Sequence, residues 1–284
     1  MFKRSQCTGW QTFPAAVLSL CLLLAFAASP ASAKAKAEGS YSHSISAEGL
    51  ELIDAESVNG SIEVTGYDGD LVNIDATIKI EGANEKTCQE LLEKIEIKVK
   101  PSGNKLKIEY DANKKWGYEI SVSYKIQAPS RMGVDAETVN GGISLSGMNG
   151  KADLETVNGS ISYKGSSGKI DAETVNGSIE FIDATGEIGG EAVNGNLSVV
   201  CKDSAPANMD LETINGRIEI ELGSTPDAMI DASAKNCKIN LKGLPQVSLD
   251  KKARSFSSVL GNGSGSYELS TVNGSITINM PAAE

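Results

Sequence analysis

The chain has 284 residues, and its 37 acidic side chains outnumber 26 basic ones, which leaves a net charge of −11 at pH 7. An acidic chain without a basic tract argues against binding to nucleic acid or to anionic membrane surfaces. His43 is the one histidine. Ser-His, Cys-His and zinc chemistry are therefore nearly excluded, and an enzyme would have to work with carboxylates, Lys, Arg or Tyr.

The N-terminal segment is typical of a secretory signal peptide. Lys3 and Arg4 precede an apolar run from Ala15 to Ala28, and the small residues Ala31 to Ala33 follow as a cleavage site. The run is shorter than the roughly 20 residues of a membrane helix. We therefore predict that residues 1–33 are a signal peptide, that the mature chain has no transmembrane segment, and that it is periplasmic, on the cell surface or secreted.

Residues 34–131 are predicted to form a β-rich N-terminal part with one short helix. Three runs have the character of strands: Leu71 to Ile80, Lys105 to Tyr110 and Tyr118 to Ile126. At about residues 84–95, apolar residues at helical spacing predict the helix: Cys88, Leu91, Leu92 and Ile95. We expect this helix to cover one end of the core, because an open stack of strands exposes an unpaired edge.

Residues 132–284 are dominated by a repeated E-T-V-N-G-S-I motif. Its Asn-Gly pairs are Asn140-Gly141, Asn158-Gly159, Asn176-Gly177, Asn194-Gly195, Asn215-Gly216 and Asn273-Gly274, with an early copy at Asn59 and a variant at Asn236-Cys237. Successive copies from Asn140 to Asn236 are 18 or 21 residues apart, and the last step of 37 is close to two periods. A period near 20 residues is too short for a pair of helices and predicts one coil of a β-solenoid.

The residues around each Asn-Gly pair alternate as in strands with one buried face. Apolar and acidic residues alternate before the Asn, and apolar residues stand three and five positions after it, Tyr163 and Phe181 among them. The predicted fold class is all-β, a single-stranded parallel β-solenoid with about 18–21 residues per coil. An antiparallel meander of Asn-Gly hairpins is the alternative. It explains one copy equally well, but not the constant phase of all the copies.

The Asn-Gly pairs are interpreted as structural corners, since Asn and Gly tolerate the positive φ that a corner requires. We expect the stacked asparagines to be buried and to form a ladder of amide hydrogen bonds. Thr and Ser two positions earlier share the inward phase: Ser57, Thr138, Thr156, Thr174, Thr213 and Thr271.

Two acidic columns precede the corners and are the candidate site for a cation. The candidate ligands are Asp135, Glu137, Asp153, Glu155, Asp171 and Glu173. In a parallel stack, like residues lie about 4.8 Å apart, where two unit charges repel by roughly 0.9 kcal/mol in water. The columns are either a solvated face or a site for calcium or another hard cation, the one candidate cofactor. No catalytic or cofactor-binding residue is assigned.

Three cysteines follow the signal peptide: Cys88, Cys201 and Cys237. The corners nearest Cys201 and Cys237 are expected to lie two coils apart, about 9.6 Å at the parallel strand spacing. This exceeds the reach of a disulfide, roughly 7 Å between Cα atoms. We predict that these two cysteines are not bonded.

A resemblance covers most of the mature chain, from about Tyr41 to Met280. The strand from Tyr118 to Ala128, the following Pro129, the VDAETVNGGI segment and the further T-V-N-G-S-I copies resemble the exported bacterial β-strand-repeat adhesins, a domain of unknown function similar to the head GIN domain group. The resemblance implies a β-solenoid with a surface or envelope role. It implies no catalytic residues.

The resulting hypothesis is a non-enzymatic exported adhesin or envelope-interaction scaffold, whose partner is an unknown protein or glycan. Paired acids and parallel β-helices also occur in enzymes that cleave polysaccharides, so a carbohydrate-active hydrolase or lyase is the alternative. A cation-binding structural module is a further alternative. An enzyme should have a cleft lined by residues that break the columns, and the irregular segment Leu244 to Ser266 is the nearest such break.

Overall fold

The computed structural model describes residues 34–112, 116–243 and 254–281, and the predicted signal peptide lies outside these ranges. The described residues form 22 strands and one helix, α1 (Glu85–Leu92). The strands are β1 (Ala35–Ser46), β2 (Leu52–Asn59), β3 (Ile62–Tyr67), β4 (Leu71–Gly82), β5 (Glu96–Ser102), β6 (Lys105–Asp111), β7 (Glu119–Pro129), β8 (Gly133–Asn140), β9 (Ile143–Ser146), β10 (Ala152–Asn158), β11 (Ile161–Lys164), β12 (Ile170–Asn176), β13 (Ile179–Ile182), β14 (Glu187–Asn194), β15 (Leu197–Cys201), β16 (Asn208–Thr213), β17 (Ile218–Leu222), β18 (Ala228–Ala234), β19 (Ile239–Lys242), β20 (Ser255–Val259), β21 (Gly265–Thr271) and β22 (Ile276–Asn279).

The strands form two 11-stranded sheets that are mostly parallel. Sheet A has the order β1-β4-β7-β3-β9-β11-β13-β15-β17-β22-β19, and sheet B has the order β20-β18-β21-β16-β14-β12-β10-β8-β2-β6-β5. Each repeat gives the strand before its Asn to sheet B and the strand after it to sheet A. We call this strand pair a layer. The alternative of an antiparallel meander is wrong for the repeats, because β8, β10, β12, β14 and β16 pair in parallel.

Like residues of neighbouring layers stand directly opposite each other. Between β10 and β12, Asp153 pairs with Asp171 and Asn158 with Asn176. Inward residues alternate with outward ones such as Asp153 along each strand and fill the core, and Tyr163 and Phe181 are fully buried as predicted. Burial of each large apolar side chain contributes about 1.5–3 kcal/mol, so the repeated inward columns stabilise every layer.

The glycine of each corner is required for a reason that differs from the prediction. Gly60 has a positive φ of 143°, but the corner glycines of the later layers are not among the residues with positive φ. The layers instead approach each other closely at these glycines. A Cβ atom on Gly177 would lie 1.8 Å from the carbonyl oxygen of Gly159, and one on Gly195 would lie 1.6 Å from that of Gly177.

Two ladders of hydrogen bonds connect the layers beside these glycines. Thr174 Oγ1 donates to the Gly159 carbonyl oxygen at 3.0 Å, and other layers repeat this contact. Asn176 Nδ2 donates to Asn158 Oδ1 at 2.9 Å in a series that runs from Asn59 to Asn236. The asparagines are mostly exposed rather than buried as expected, because they lie where the chain turns out of the strand.

The N-terminal part continues the stack and then closes its end. The early repeat is a layer of its own, since Asn59 stands opposite Asn140. Beyond it, β7, β4 and β1 pair antiparallel, and α1 packs against β1 and β4 through Cys88, Leu91 and Leu92. Asn84 caps the helix by accepting from the Thr87 amide. The helix is shorter than predicted, and Ile95 is buried in the connection to β5.

The C-terminal layers are not stacked in sequence order. Strands β21 and β22 lie between β16 and β17 on one side and β18 and β19 on the other. The layer of Asn273 therefore contacts that of Asn215, and the layer of Asn236 is last. The 37-residue step from Asn236 to Asn273 therefore does not advance along the stack but returns by one layer.

The order of the layers also changes the distance between two cysteines. The corners near Cys201 and Cys237 are three layers apart rather than two, and both cysteines are free thiols. The segment Leu244 to Ser266 is not wholly irregular: residues 244–253 lie outside the described ranges, and β20 pairs antiparallel with β18.

Within the described ranges, no helix is long and apolar enough to cross a membrane.

Candidate functional site

The outward face of sheet B carries three rows of like side chains. The motif Asp-x-Glu-Thr-Val-Asn points Asp, Glu and Val outward and Thr inward, because successive residues of a strand face opposite sides. The Glu row consists of Glu56, Glu137, Glu155, Glu173, Glu191 and Glu212, in the spatial order of the layers. The neighbouring Val row consists of Val58, Val139, Val157, Val175, Val193 and Ile214.

These two rows line a groove of about 640 Å³, which we call the Glu–Val groove. It crosses six layers, or roughly 24 Å at the parallel strand spacing. Glu109 and Tyr110 of β6 line it at the β2 end. At the other end the Glu row stops, because Ser270 of the inserted strand β21 stands opposite Glu212. The groove is therefore a linear site with two chemically distinct ends.

The Val row is exposed from Val139 to Ile214, whereas Val58 at the β2 end is half-buried. Val157 and Val175 each keep 40% of their surface accessible, and Ile214 keeps 42%. Single exposed apolar residues are ordinary on a protein surface, but a contiguous apolar strip beside polar groups is typical of an interaction site. The row thus gives the groove an apolar edge.

The acidic rows concentrate negative charge along the other edge. Burial and the charges of Glu155 and Asp135 raise the pKa of Glu137. Burial and the charge of Asp54 also raise the pKa of Asp135, which Lys105 opposes from 3.8 Å. Near the β2 end, Lys107 lies 3.1 Å from Glu56 and 3.3 Å from Glu109. Positive charge is thus supplied at one end of the groove.

The predicted cation ligands lie in these rows. Asp135, Asp153 and Asp171 are opposite one another in β8, β10 and β12, as are Glu137, Glu155 and Glu173. They form open rows along the sheet rather than a convergent cage. Among the described residues, no group of three or more His, Cys, Asp or Glu side chains is placed to hold a metal ion. Binding of calcium stays a prediction.

The raised pKa of Glu137 predicts how stability depends on pH. The folded state holds the Glu137 proton more tightly than the unfolded chain, so this group opposes folding increasingly as pH rises from about 4 through its raised pKa. We expect Glu137→Gln to raise the urea midpoint of unfolding at pH 7 and to match the unmodified protein near pH 4. Glu48→Gln, in the exposed loop before β2, is the control. A lower midpoint for Glu137→Gln at pH 7 would contradict the charge argument.

Sequence reasoning found the Glu row but missed the Val row. The signal was present, because Val or Ile directly precedes the Asn in seven copies, at an outward position where a polar residue is expected: Val58, Val139, Val157, Val175, Val193, Ile214 and Val272. Valine and isoleucine are ordinarily core residues, so their type alone does not mark an exposed row.

Fold and groove together define an all-β protein whose parallel layers carry a long, repetitive groove. No family model and no curated protein sequence matches the chain. Among solved structures, it is similar to a "putative cell adhesion protein" from Clostridium sporogenes, with 13% identity, a TM-score of 0.31, and coverage of 86% of this chain and 100% of that one. It is also similar to a "putative adhesin" from Parabacteroides distasonis, with 13% identity, a TM-score of 0.28, and coverage of 85% and 96%.

Proposed function

We propose that the chain is an exported, non-enzymatic β-solenoid of the adhesin kind that binds a partner at the cell envelope through the Glu–Val groove. The solenoid description is supported by the layers, since each repeat supplies one strand to each sheet in a constant register. The observation that carries the function is the groove, in which six layers place an aliphatic side chain beside a carboxylate. Such repetition suits binding along a length better than chemistry at one point.

The rigid framework beneath the groove supports the same proposal. The Thr and Asn ladders fix the spacing of the layers, and the buried Thr174 between Glu173 and Val175 anchors the strand that carries both outward side chains. A surface held in this way loses little conformational entropy when it binds a partner.

The test fills the groove at two neighbouring layers. Val157→Lys together with Val175→Lys should reduce binding of the labelled protein to envelope vesicles of the producing organism about tenfold or more. Ser144→Lys together with Ser162→Lys makes the same change in charge on neighbouring layers of sheet A, away from the groove. This control should bind within about twofold of the unmodified protein. Equal binding by the groove variant would refute the proposed function.

A further inference from the structure

The Glu row is short of positive charge over most of its length. Lys107 pairs with Glu56, but within the described ranges no ion pair reaches Glu137, Glu155, Glu173, Glu191 or Glu212. These five carboxylates stand about 4.8 Å apart and repel one another. A ligand that brings a row of positive charges relieves this repulsion, so charge complementarity favours a cationic ligand.

Because the Val row is apolar, a complementary ligand also has an apolar side that contacts this row. Glu173 and Val175 are two positions apart on one face of β12, about 6.6–6.8 Å along the strand. A ligand that lies across the strands, along the stack, touches the Glu row with one side and the Val row with the other. It must be long and thin, because the five free carboxylates span four layer steps, roughly 19 Å.

The spacing of the layers selects one conformation of an extended polypeptide. Side chains on one face of a β-strand recur every 6.6–6.8 Å, which mismatches a 4.8 Å row by about 2 Å at the first step. An α-helix repeats every 5.4 Å and drifts by about 2.4 Å over four layers. A polyproline II helix repeats every three residues, about 9.3 Å, against about 9.6 Å for two layers. Three basic residues then span about 18.6 Å, close to the distance of about 19 Å from Glu137 to Glu212.

We propose that the Glu–Val groove binds an extended polypeptide in the polyproline II conformation, with Lys or Arg at every third position and apolar residues between. The inference rests on the proposed function, since it names the ligand of the same groove. The basic side chains face Glu137, Glu173 and Glu212, and the apolar ones contact the Val row. A proline-rich ligand is already extended, so little conformational entropy is lost when it binds.

Synthetic peptides of equal composition test the spacing. The peptide (Lys-Pro-Val)₄ has lysine at every third position, whereas two copies of Lys-Lys-Pro-Val-Pro-Val contain the same residues without that period. Fluorescence anisotropy with the full chain should give a dissociation constant about tenfold lower for the first peptide, and the difference should shrink as salt is added. (Glu-Pro-Val)₄ should not bind.

Neutralising alternate carboxylates tests the site. Glu137→Gln, Glu173→Gln and Glu212→Gln combined should weaken binding of (Lys-Pro-Val)₄ by about tenfold or more. Glu180→Gln, Glu219→Gln and Glu221→Gln change the net charge equally on the exposed face of sheet A and should leave binding within about twofold. Circular dichroism verifies that both variants are folded. An equal loss in both would mean that net charge alone attracts the peptide, and would overturn the proposal.

The failure of this inference differs from the failure of the proposed function. If the Val157→Lys and Val175→Lys protein loses binding to the envelope while the two lysine peptides bind equally or not at all, the ligand class is wrong and the groove remains the binding surface. If that variant still binds the envelope, the proposed function is wrong, and the proposed ligand class is then wrong as well.

Discussion

Replacing Gly177 by alanine is expected to cost more than about 4 kcal/mol of stability, enough to unfold the stack around its layer. The new Cβ would lie 1.8 Å from the Gly159 carbonyl oxygen and 2.5 Å from the carbonyl carbon. These are backbone atoms of the neighbouring layer, so no side-chain rotation relieves the overlap. Separating the layers would stretch the hydrogen bond from Thr174 to Gly159 and the amide ladder at Asn176. Urea unfolding followed by far-UV circular dichroism measures the loss.

Gly165→Ala is the matched control for this prediction. Gly165 has a positive φ of 61°, but a Cβ added there meets nothing within 4 Å. Its substitution should cost only the conformational penalty of about 1–2 kcal/mol. If Gly177→Ala were no more destabilising than Gly165→Ala, the close approach of the layers would not be the reason for the corner glycine.

Replacing Tyr267 by alanine is expected to open the inserted layer and to destabilise the protein by about 3–5 kcal/mol. Tyr267 is fully buried in β21, and its hydroxyl donates to the Pro206 carbonyl oxygen at 2.6 Å. Burial raises the pKa of Tyr267, and the charge of the nearby Cys201 thiol adds to this effect. A cavity here should therefore make the buried Cys201 thiol reactive toward a disulfide reagent, measured in a Cys237→Ser background because Cys237 is exposed.

Tyr267→Phe separates the packing of the ring from its hydrogen bond. It keeps the ring and leaves the Pro206 carbonyl without its partner, so a cost of about 1–3 kcal/mol is expected, with Cys201 still unreactive. Similar thiol reactivity in both variants would count against packing as the main contribution of Tyr267.

The sequence allowed the strands and their register to be predicted, but not the order of the last layers. Leu211, Leu269 and Ala232 occupy the same inward position in β16, β21 and β18. Because these strands carry equivalent columns, either order satisfies the hydrophobic pattern. Which of the two strands lies next to β16 depends on the long loops that connect them. Local residue patterns do not encode the path of such loops. The same pattern did predict the core positions of Tyr163 and Phe181.

The candidate site was only half predictable for a related reason. Glu155 and its equivalents stand out in the sequence, because a row of like charges in register repels itself and this repulsion has to be offset. Val157 and its equivalents are small and apolar, and such residues are ordinarily assigned to the core. Only their outward phase, two positions after each Glu, distinguishes them from the buried columns. The corner glycines were recognised as necessary, but contact between layers is a property of the assembled stack rather than of one turn.

The insertion of β21 and β22 has a consequence for the time course of folding. A chain that emerges from its N-terminus produces β18 and β19 before β21 and β22, yet the later pair occupies the position next to β16 and β17. The stack therefore cannot grow to completion in the order in which its residues appear. The layer next to β16 and β17 forms only when β21 and β22 are available, and it must close a loop of more than 40 residues from β17 to β21 before β18 and β19 can pack on it. Completion of the fold is therefore tied to the appearance of β22 rather than of β19.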